Sequence, residues 1–359
     1  MMKLVLVILI VALASTHAAN LGCMNEDGQP VDWWVISKQP PIKTEPENSP
    51  AHNGVGYSYA DATSPALVMS TRFLNETNAL SYTLEPLYKT ETKSNPYLWL
   101  MYNDQPTGIS VPSSYAHSKG VIGFSDSQGF WLIHSVPQFP TDPHKGGYGY
   151  PESGHVNGQS FLCVTYGSSE FDAIVQTLYV NRPYAYSSLV PTGMTLPLSQ
   201  LDSFLSGGYE STATGSAATL KSIGGQALSV FYKNLQWNND LYEELVQPRL
   251  DQNMVVTSWR IGANSTIMPS FCKPEYKYDS VNSLTLQIKE RDGNTVSWKY
   301  TKDHSKWAAS MPTEATKYIC IGDINRMYSQ YKRGGGTACL AIDALWQSYY
   351  DTIDTVSGC

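Results

Sequence analysis

The segment "TKDHSKWAAS", residues 301–310, places a histidine and a lysine two positions apart, His304 and Lys306. The same tripeptide occurs once more, in "AHSKGVIGF", as His117-Ser118-Lys119. Both copies lie beside predicted strands, and each is followed by a second apolar segment, "GFWLIHSVPQ" after the first and "KYICIGDINR" after the second. This repeated order of parts predicts two halves of similar build.

An alignment of the two apolar segments supports the same view. It sets the following residues on each other: Ile133 on Ile321, Ser135 on Asp323, and Pro137 on Asn325. Identity within the alignment is low, and an alternative is that both halves are simply mixed α and β without a common plan. We expect an α/β (mixed α+β) fold of two pseudo-symmetric halves, each with a mixed sheet flanked by helices, sharing one active site.

The first twenty residues have the pattern of a targeting segment. Lys3 is followed by eleven apolar residues, Leu4 to Ala14, and then by small residues. This pattern predicts a secretory signal peptide, residues 1–19, cut between positions 14 and 19, and it is too short to span a membrane. We therefore expect a soluble protein of the secretory pathway, lysosomal or secreted, without stable membrane association.

The remaining chain is long enough for two packed halves. We expect residues 20–195 to form the N-terminal half and residues 196–359 the C-terminal half of one compact catalytic domain. The content of 42% hydrophobic and 15% charged residues is typical of a folded globular protein. The chain has no H-E-x-x-H and no G-x-S-x-G segment, which argues against a metalloprotease and a serine hydrolase.

All six cysteines follow the predicted leader, and an even number in an oxidising compartment predicts three disulfides. Their spacing does not select a pairing. No C-x-x-C spacing is present, which argues against a zinc or redox centre. Asn75 and Asn264 begin N-x-T triplets and are predicted glycosylation sites on surface loops, although two such triplets also occur by chance in a chain of this length.

The two H-S-K tripeptides suit the hydrolysis of a phosphodiester. Residues two apart on a strand point to the same face, so His117 and His304 could flank one pocket with Lys119 and Lys306 beside them. One neutral imidazole would attack phosphorus, and the other, protonated, would protonate the leaving oxygen. The lysines would hold the non-bridging oxygens, so we expect no metal ion and no cofactor. A single H-x-K is more often an ordinary surface pair, and the repetition carries the hypothesis.

Several longer segments carry a resemblance to a known family. They are "DGQPVDWW", "YNDQP", "HSKGV", "FWLIHSVPQFP", "DHSKWA", "CIGDINR" and "KRGGGTAC", spread from residue 27 to residue 339. Together they resemble deoxyribonuclease II, the acid endonuclease family. The resemblance implies a phospholipase D-like architecture, a phosphohistidine intermediate, metal independence, an acidic optimum, and 3′-phosphate and 5′-hydroxyl ends.

The implied function is an endodeoxyribonuclease acting on double-stranded DNA, for digestion of engulfed, apoptotic or dietary DNA. Two alternatives remain open: a secreted toxin of the same family, and a phosphodiesterase for another substrate such as a phospholipid. The chain has no long amphipathic segment of the kind that would favour a phospholipid substrate. The sequence does not indicate an oligomeric state.

The resemblance also implies roles for individual residues. The family's catalytic histidine falls on His304, with His117 as its partner. The segment "GDIN" resembles the G-S-x-N element of the phospholipase D group, which makes Asp323 and Asn325 supporting candidates. The implied disulfides join the following residues: Cys23 with Cys163, Cys272 with Cys359, and Cys320 with Cys339.

Two further features are less well defined. In the first half the asparagine is missing and His134 appears, which could bind phosphate, orient His117, or be a strand-end histidine satisfied by the backbone. Arg333 with Gly334 and Gly335 could offer N–H groups to a DNA phosphate, or form a plain flexible loop. The other three histidines after the leader are given no role: His52, His144 and His155.

The formal net charge of −7 is unusual for a protein that binds DNA. Without the predicted leader, which contains Lys3 and one histidine, the charge is 23 − 31 = −8, and we expect protonation of the six remaining histidines near pH 5 to bring it to about −2. DNA would then be repelled at neutral pH and admitted in an acidic vesicle. The hypothesis predicts a bell-shaped pH profile on the acid side, with a basic limb that reports the general-acid histidine.

Overall fold

A computed structural model describes residues 21–47, 49–89, 95–262, 266–290 and 293–359. The predicted signal peptide and the predicted glycosylation site Asn264 lie outside the described residues. Asn75 lies in an exposed turn, as a glycosylation site requires.

The strands of the first half form one sheet. In the described part of the chain they are β1 Trp33–Lys38, β2 Tyr57–Asp61, β3 Ser64–Met69, β4 Leu98–Tyr102, β5 Gly120–Phe124, β6 Gln128–His134, β7 Gln159–Gly167 and β8 Ala185–Leu189. Their order across the sheet is β3-β2-β1-β7-β6-β5-β4-β8. Each described pair is antiparallel, so this sheet is not mixed in direction as expected.

The strands of the second half form the other sheet. Those described are β9 Gly215–Lys221, β10 Ala227–Lys233, β11 Met254–Thr257, β12 Ser280–Lys289, β13 Thr295–Lys299, β14 Trp307–Ser310, β15 Ile319–Gly322, β16 Gly335–Leu340 and β17 Ile353–Val356. Their order is β13-β12-β11-β14-β15-β16-β10-β9, with β17 beside β12. The pair β11 and β12 is parallel, so this sheet is mixed.

The helices are short and lie between or beside the sheets. The described residues contain α1 Pro50–Asn53, α2 Ala79–Leu84, α3 Phe171–Asn181, α4 Ser199–Leu205, α5 Gln247–Leu250 and α6 Asp343–Tyr350. A π-helical turn, Tyr242–Val246, leads into α5. A search of the described helices finds none with the length and apolar character of a membrane span.

The two sheets repeat one plan. Six neighbouring strands of the first, β4-β5-β6-β7-β1-β2, correspond in order to β11-β14-β15-β16-β10-β9 of the second. The residue after the first H-S-K, Gly120, pairs with Ile133, and the residue after the second, Trp307, pairs with Ile321. This register confirms the alignment of Ile133 with Ile321 that the sequence predicted.

A shared core joins the two halves. Leu98 and Leu100 of β4 pack in a cluster that also contains Ile321 of the second sheet and residues of α3, α4 and α6. Trp99 and Met101 point to the opposite face, into a cluster with α2. Central strands are thus apolar on both faces, which explains why their sequences read as continuous hydrophobic runs.

The three implied disulfides are all present in the described chain. They join Cys23 to Cys163, Cys272 to Cys359, and Cys320 to Cys339. The implied pairing is therefore confirmed.

Candidate active site

Each H-S-K tripeptide directly precedes a central strand, β5 or β14, and the two tripeptides meet at the seam between the halves. The backbone N–H of His117 donates to the carbonyl of Gly334 in the other half, at 2.9 Å. Reciprocally, the N–H of His304 donates to the carbonyl of Gly158 in the first half, at 2.8 Å. These two equivalent bonds cross the seam and bring both motifs to one place.

The four predicted catalytic side chains influence one another electrostatically. Burial lowers the pKa of His304 to about 3, and the charges of Lys306, Lys119 and His117 lower it as well. Burial also lowers the pKa of Lys306 to about 7, with a further contribution from Lys119. Both lysines are 2% exposed. The structure thus places two imidazoles and two ammonium groups in one buried cluster.

His117 is held by a carbonyl and faces a carboxylate. Its Nδ1 lies 3.0 Å from the carbonyl oxygen of Asp323, which accepts the Nδ1 proton. Its Nε2 lies 3.8 Å from the carboxylate of Asp104. Burial lowers the pKa of His117 to about 3, and Asp104 opposes that shift.

Asp104 is the negative centre of the cluster. Its carboxylate pairs with Lys119 and, at 3.1 Å, with Arg333. Burial alone would raise its pKa, but the charges of His117, Lys119 and Arg333 hold the pKa of Asp104 well below its usual range. Asp104 therefore remains ionised in acid, where it can stabilise a protonated His117.

His304 has a different neighbour at the equivalent position. The strands β4 and β11 are equivalent, because each pairs with the strand that follows an H-S-K tripeptide. Asp104 lies two residues after β4, and Trp259 lies two residues after β11. The Trp259 ring packs edge-on against His304, with centroids 4.1 Å apart. The amide nitrogen of Asn157 lies 3.4 Å from Nε2 of His304, where it can donate to the ring nitrogen. Imidazole without a carboxylate beside it favours the neutral form.

The side chains of the predicted supporting residues, Asp323 and Asn325, bond to neighbours of the imidazoles, whereas the backbone carbonyl of Asp323 contacts His117 itself. The Asp323 carboxylate accepts the N–H of Gly336 at 2.8 Å, and burial raises its pKa to about 7. The side chain of Asn325 accepts the N–H of Trp259 at 3.2 Å. Asn325 thus fixes the residue that packs on His304 and does not itself contact the imidazole cluster.

Two buried lysines hold the loops beside the cluster, and they too are equivalent, at the ends of β1 and β10. Lys38 donates to the carbonyls of His155 and Asn157, at 2.8 and 2.6 Å. Lys233 donates to carbonyls of the opposite loop, those of Gln330, Tyr331 and Arg333. Each lysine therefore positions one loop that contributes a side chain, Asn157 or Arg333, to the cluster.

His134 lies beside the lysines of the cluster: its backbone N–H donates to the carbonyl of Lys119 at 3.1 Å, and the charges of Lys119 and Lys306 add to burial in lowering its pKa. It is fully buried, its Nδ1 accepts the N–H of Val136 at 3.2 Å, and its ring packs against Phe139 and Phe161. Among the described residues it forms no hydrogen bond with His117. The backbone thus satisfies one ring nitrogen, whereas the buried Nε2 has no hydrogen-bond partner among the described residues, so the proposed roles of His134 stay predictions.

The loop Arg333 to Gly335 contacts the first half, and its predicted phosphate binding stays a prediction. The Arg333 guanidinium donates to the carbonyls of Tyr115 and Ala116 and to Asp104. A Cβ at Gly334 would lie 2.0 Å from the carbonyl oxygen of Asn181. Gly335 has φ +156°. Gly334 therefore permits the close approach of the two halves, and Gly335 has a positive φ that favours glycine, neither of which the sequence alone could indicate.

Sequence reasoning missed Asp104, Trp259, Asn157 and Lys38 as site residues. Asp104 lies in the segment "YNDQP", which contributed to the family resemblance, so a signal was present there. The other three carry no local pattern.

One group of potential metal ligands occurs in the described part of the chain, formed by Cys272, Asp279 and Cys359. Its two sulfurs are joined in a disulfide and are not available as ligands.

The inter-half contact at Gly158 yields a prediction. A Cβ at this position would lie 2.6 Å from the carboxylate of Asp303, the residue before His304. We expect Gly158→Ala to lower the free energy of unfolding by about 1–3 kcal/mol, measured by urea denaturation. Gly149→Ala is the control, because nothing lies within 4 Å of a Cβ there. Equal stability of the two variants would contradict the close packing of the seam.

Comparisons with known proteins show the family of the chain. The family model for Deoxyribonuclease II matches residues 22–359. Deoxyribonuclease-2 of Caenorhabditis elegans is 35% identical over 384 residues, covering 99% of this chain and 98% of the relative. Deoxyribonuclease-2-beta of Homo sapiens is 32% identical over 346 residues, with 95% and 92% covered. Plancitoxin-1 of Acanthaster planci is 32% identical over 361 residues, with 99% and 97% covered. With its two matched halves in a phospholipase D-like fold, the chain belongs to the deoxyribonuclease II family.

Proposed function

We propose that the chain cleaves DNA internally in acid, without a metal ion, and leaves 3′-phosphate and 5′-hydroxyl ends. Its family makes it a nuclease, a phosphodiester hydrolase. The observation that carries the finer proposal is the cluster of two imidazoles and two ammonium groups at one seam. Such a cluster can supply the nucleophile, the acid and the binding of the phosphate charge.

We assign the attack to His304 and the proton transfer to His117. The neutral Nε2 of His304 attacks phosphorus, forming a P–N bond while the bond from phosphorus to the 5′-oxygen breaks. The leaving oxygen takes the proton of His117, whose protonated form Asp104 stabilises. Neutral His117 then takes a proton from water, and the resulting hydroxide attacks phosphorus, breaks the P–N bond and releases the 3′-phosphate.

The proposed phosphate binding depends on Lys119 and Lys306, both buried beside the imidazoles. With pKa values of about 7, Lys306 is charged and Asp323 is neutral at pH 5. Above pH 7 both lose a proton and the site becomes more negative. A phosphodiester is therefore bound better in acid, and its negative charge also favours protonation of His117.

The histidines do not supply the general relief of negative charge expected near pH 5. Burial lowers the pKa of His117, His134, His155 and His304. Imidazoles buried beside ammonium groups resist protonation, which the residue count could not indicate. The net charge therefore changes less near pH 5 than the sequence predicted. We attribute the proposed acid dependence to the titrating groups of the catalytic cluster.

For the biological setting, we propose the secretory pathway, with a lysosomal or secreted product in which residues 20–195 and 196–359 act as one catalytic domain. Disulfides are typical of oxidising compartments, and this chain has three in its described part. A secreted toxin with the same chemistry is the second candidate, because the relative Plancitoxin-1 carries a toxin's name.

A nicking assay tests the proposed function. We expect the purified protein to cleave supercoiled plasmid at pH 5 in excess chelator, and end-labelling to show 3′-phosphates. Cleavage that stops in chelator would contradict metal independence, and 5′-phosphate products would contradict the assigned direction. Inactivity on DNA with turnover of a phospholipid diester would favour the alternative substrate.

A further inference from the structure

An open groove of about 720 Å³ lies beside the catalytic cluster. Four basic side chains line it, Lys43, Lys299, Lys302 and His155, and its walls include no aspartate or glutamate. We refer to this site as the basic groove. In a chain with a net charge of −7, a groove lined only by basic and neutral residues is a local exception.

The lysines of the basic groove are accessible to a ligand, and Nζ of Lys43 also donates to the carbonyl of His52 at 3.1 Å. Lys43, Lys299 and Lys302 are all exposed. Within the described residues none of them forms an ion pair. The lysines of the catalytic cluster are buried and partnered, so the two sets differ in kind. Exposed, unpaired ammonium groups are suited to the phosphates of a nucleic acid backbone.

The basic groove is connected directly to His304. Lys302 lies two residues before His304, and its carbonyl accepts the N–H of Gly158 at 2.8 Å. The carbonyl of Gly158 in turn accepts the N–H of His304. On the opposite wall, His155 lies two residues before Asn157, whose amide contacts His304. Two residues that line the groove, Lys302 and His155, therefore lie two positions along the chain from His304 and from its neighbour Asn157.

The loop that forms this wall is rigidly held. Lys38, 1% exposed, donates to the carbonyls of both His155 and Asn157. The ring of His155 stacks on Tyr150, with centroids 5.7 Å apart and planes at 16°. The groove is thus a formed site that does not need to be ordered by its ligand.

We propose that the basic groove binds the backbone phosphates of the DNA strand next to the scissile phosphate. The inference rests on the proposed function and adds a substrate track outside the catalytic cluster. The track explains how an acidic protein holds a polyanion: the ammonium groups are concentrated where the strand passes, and the negative charge lies elsewhere.

The test compares two triple variants. Lys43→Gln, Lys299→Gln and Lys302→Gln are combined in the groove variant. Lys221→Gln, Lys273→Gln and Lys277→Gln form the control, which removes the same charge from three exposed lysines that do not line the groove. Both are assayed at pH 5 on duplex DNA over a range of salt, and on bis(4-nitrophenyl) phosphate, a small diester that occupies the catalytic cluster alone.

We expect the groove variant to raise KM for DNA about tenfold and to reduce the slope of log KM against log salt by about 3, because three phosphate contacts to duplex DNA are lost. Its kcat/KM for the small diester should stay within about twofold of wild type, since the groove does not touch that substrate. The control variant should resemble wild type on both substrates.

Three results would overturn the inference. One is equal KM and salt slope for the two triple variants on DNA; another is an equal loss on the small diester, which would indicate damage to the catalytic cluster. In both, wild-type cleavage of DNA leaves the proposed function intact. The third is a wild-type protein that turns over the small diester and neither binds nor cleaves DNA, which would overturn the proposed function as well.

Discussion

His304→Ala is expected to lower kcat on DNA by about 10⁶-fold, the size of effect seen when a covalent nucleophile is removed. His117→Ala should cost about 10²- to 10⁴-fold, because it removes a general acid and leaves the attack possible. The two variants should differ most on a diester with a 4-nitrophenol leaving group, which departs without a proton. That substrate should restore the first step in His117→Ala and should not rescue His304→Ala.

The same pair of variants permits a direct search for the covalent intermediate. In His117→Ala the second step lacks its base, so a phosphorylated His304 should accumulate and be detectable by mass spectrometry after an alkaline quench. Rescue of His304→Ala by the nitrophenyl diester, with none for His117→Ala, would reverse the two roles. Comparable residual activity of both variants on DNA at every pH would contradict the paired-imidazole scheme.

The repeated H-S-K tripeptide was sufficient to predict the two-half plan, because each copy directly precedes a central strand that can be identified from its apolar sequence. Two edge strands, β8 and β9, were not predicted. β8, "AYSSL", and the first two residues of β9, "GSAATLK", lie in residues 183–216, which are rich in Pro, Gly and Ser and which the sequence indicates as a connection. Their strand conformation depends on pairing with β4 and β10, a tertiary contact that local propensity does not show.

The candidate site was likewise predicted only in part, because some of its residues are brought together by tertiary contacts. The residues that repeat, His117 with Lys119 and His304 with Lys306, were found, and the residues that make the two halves differ were not. Asp104 and Trp259 occupy one equivalent position with opposite chemical character, so no repeat in sequence reveals them. We base the proposed roles of the two imidazoles on this difference between the halves, which only the pairing of the strands shows.

The low pKa values of the imidazoles also change how the acid optimum is explained. Catalysis needs one histidine protonated and the other neutral, and both have pKa values of about 3 in the free protein. The fraction in the active form therefore falls as pH rises from acid towards neutrality. Four charged groups set the pKa of His117 beyond burial: Asp104 raises it, and Lys119, Lys306 and Arg333 lower it.

Asp104→Asn should consequently move the basic limb of the kcat/KM profile to lower pH by about 1–3 units, because the group that raises the pKa of His117 is lost. At pH 5 the expected loss of kcat/KM is about 10- to 10³-fold, and it should diminish only below pH 3, because the pKa of His117 without Asp104 lies below the value of about 3 that it has in the wild type. Asp104→Glu keeps the charge and should restore the limb. A limb that does not move in folded Asp104→Asn would contradict the assignment of the proton to His117.

The folded state of Asp104→Asn needs its own measurement. The pKa of Asp104 is lowered in the folded protein, so its stabilising effect is present above the pKa of the unfolded chain and is lost only as pH falls through the folded value. At pH 5 the carboxylate is therefore still paired, and its removal leaves Lys119 and Arg333 buried without their counter-ion at a cost of about 3–5 kcal/mol. Thermal unfolding at pH 5 should show this loss for Asp104→Asn and a smaller one for Asp104→Glu. A merely structural role would lower stability and activity together at every pH, whereas an effect through His117 changes the shape of the pH profile in the protein that remains folded.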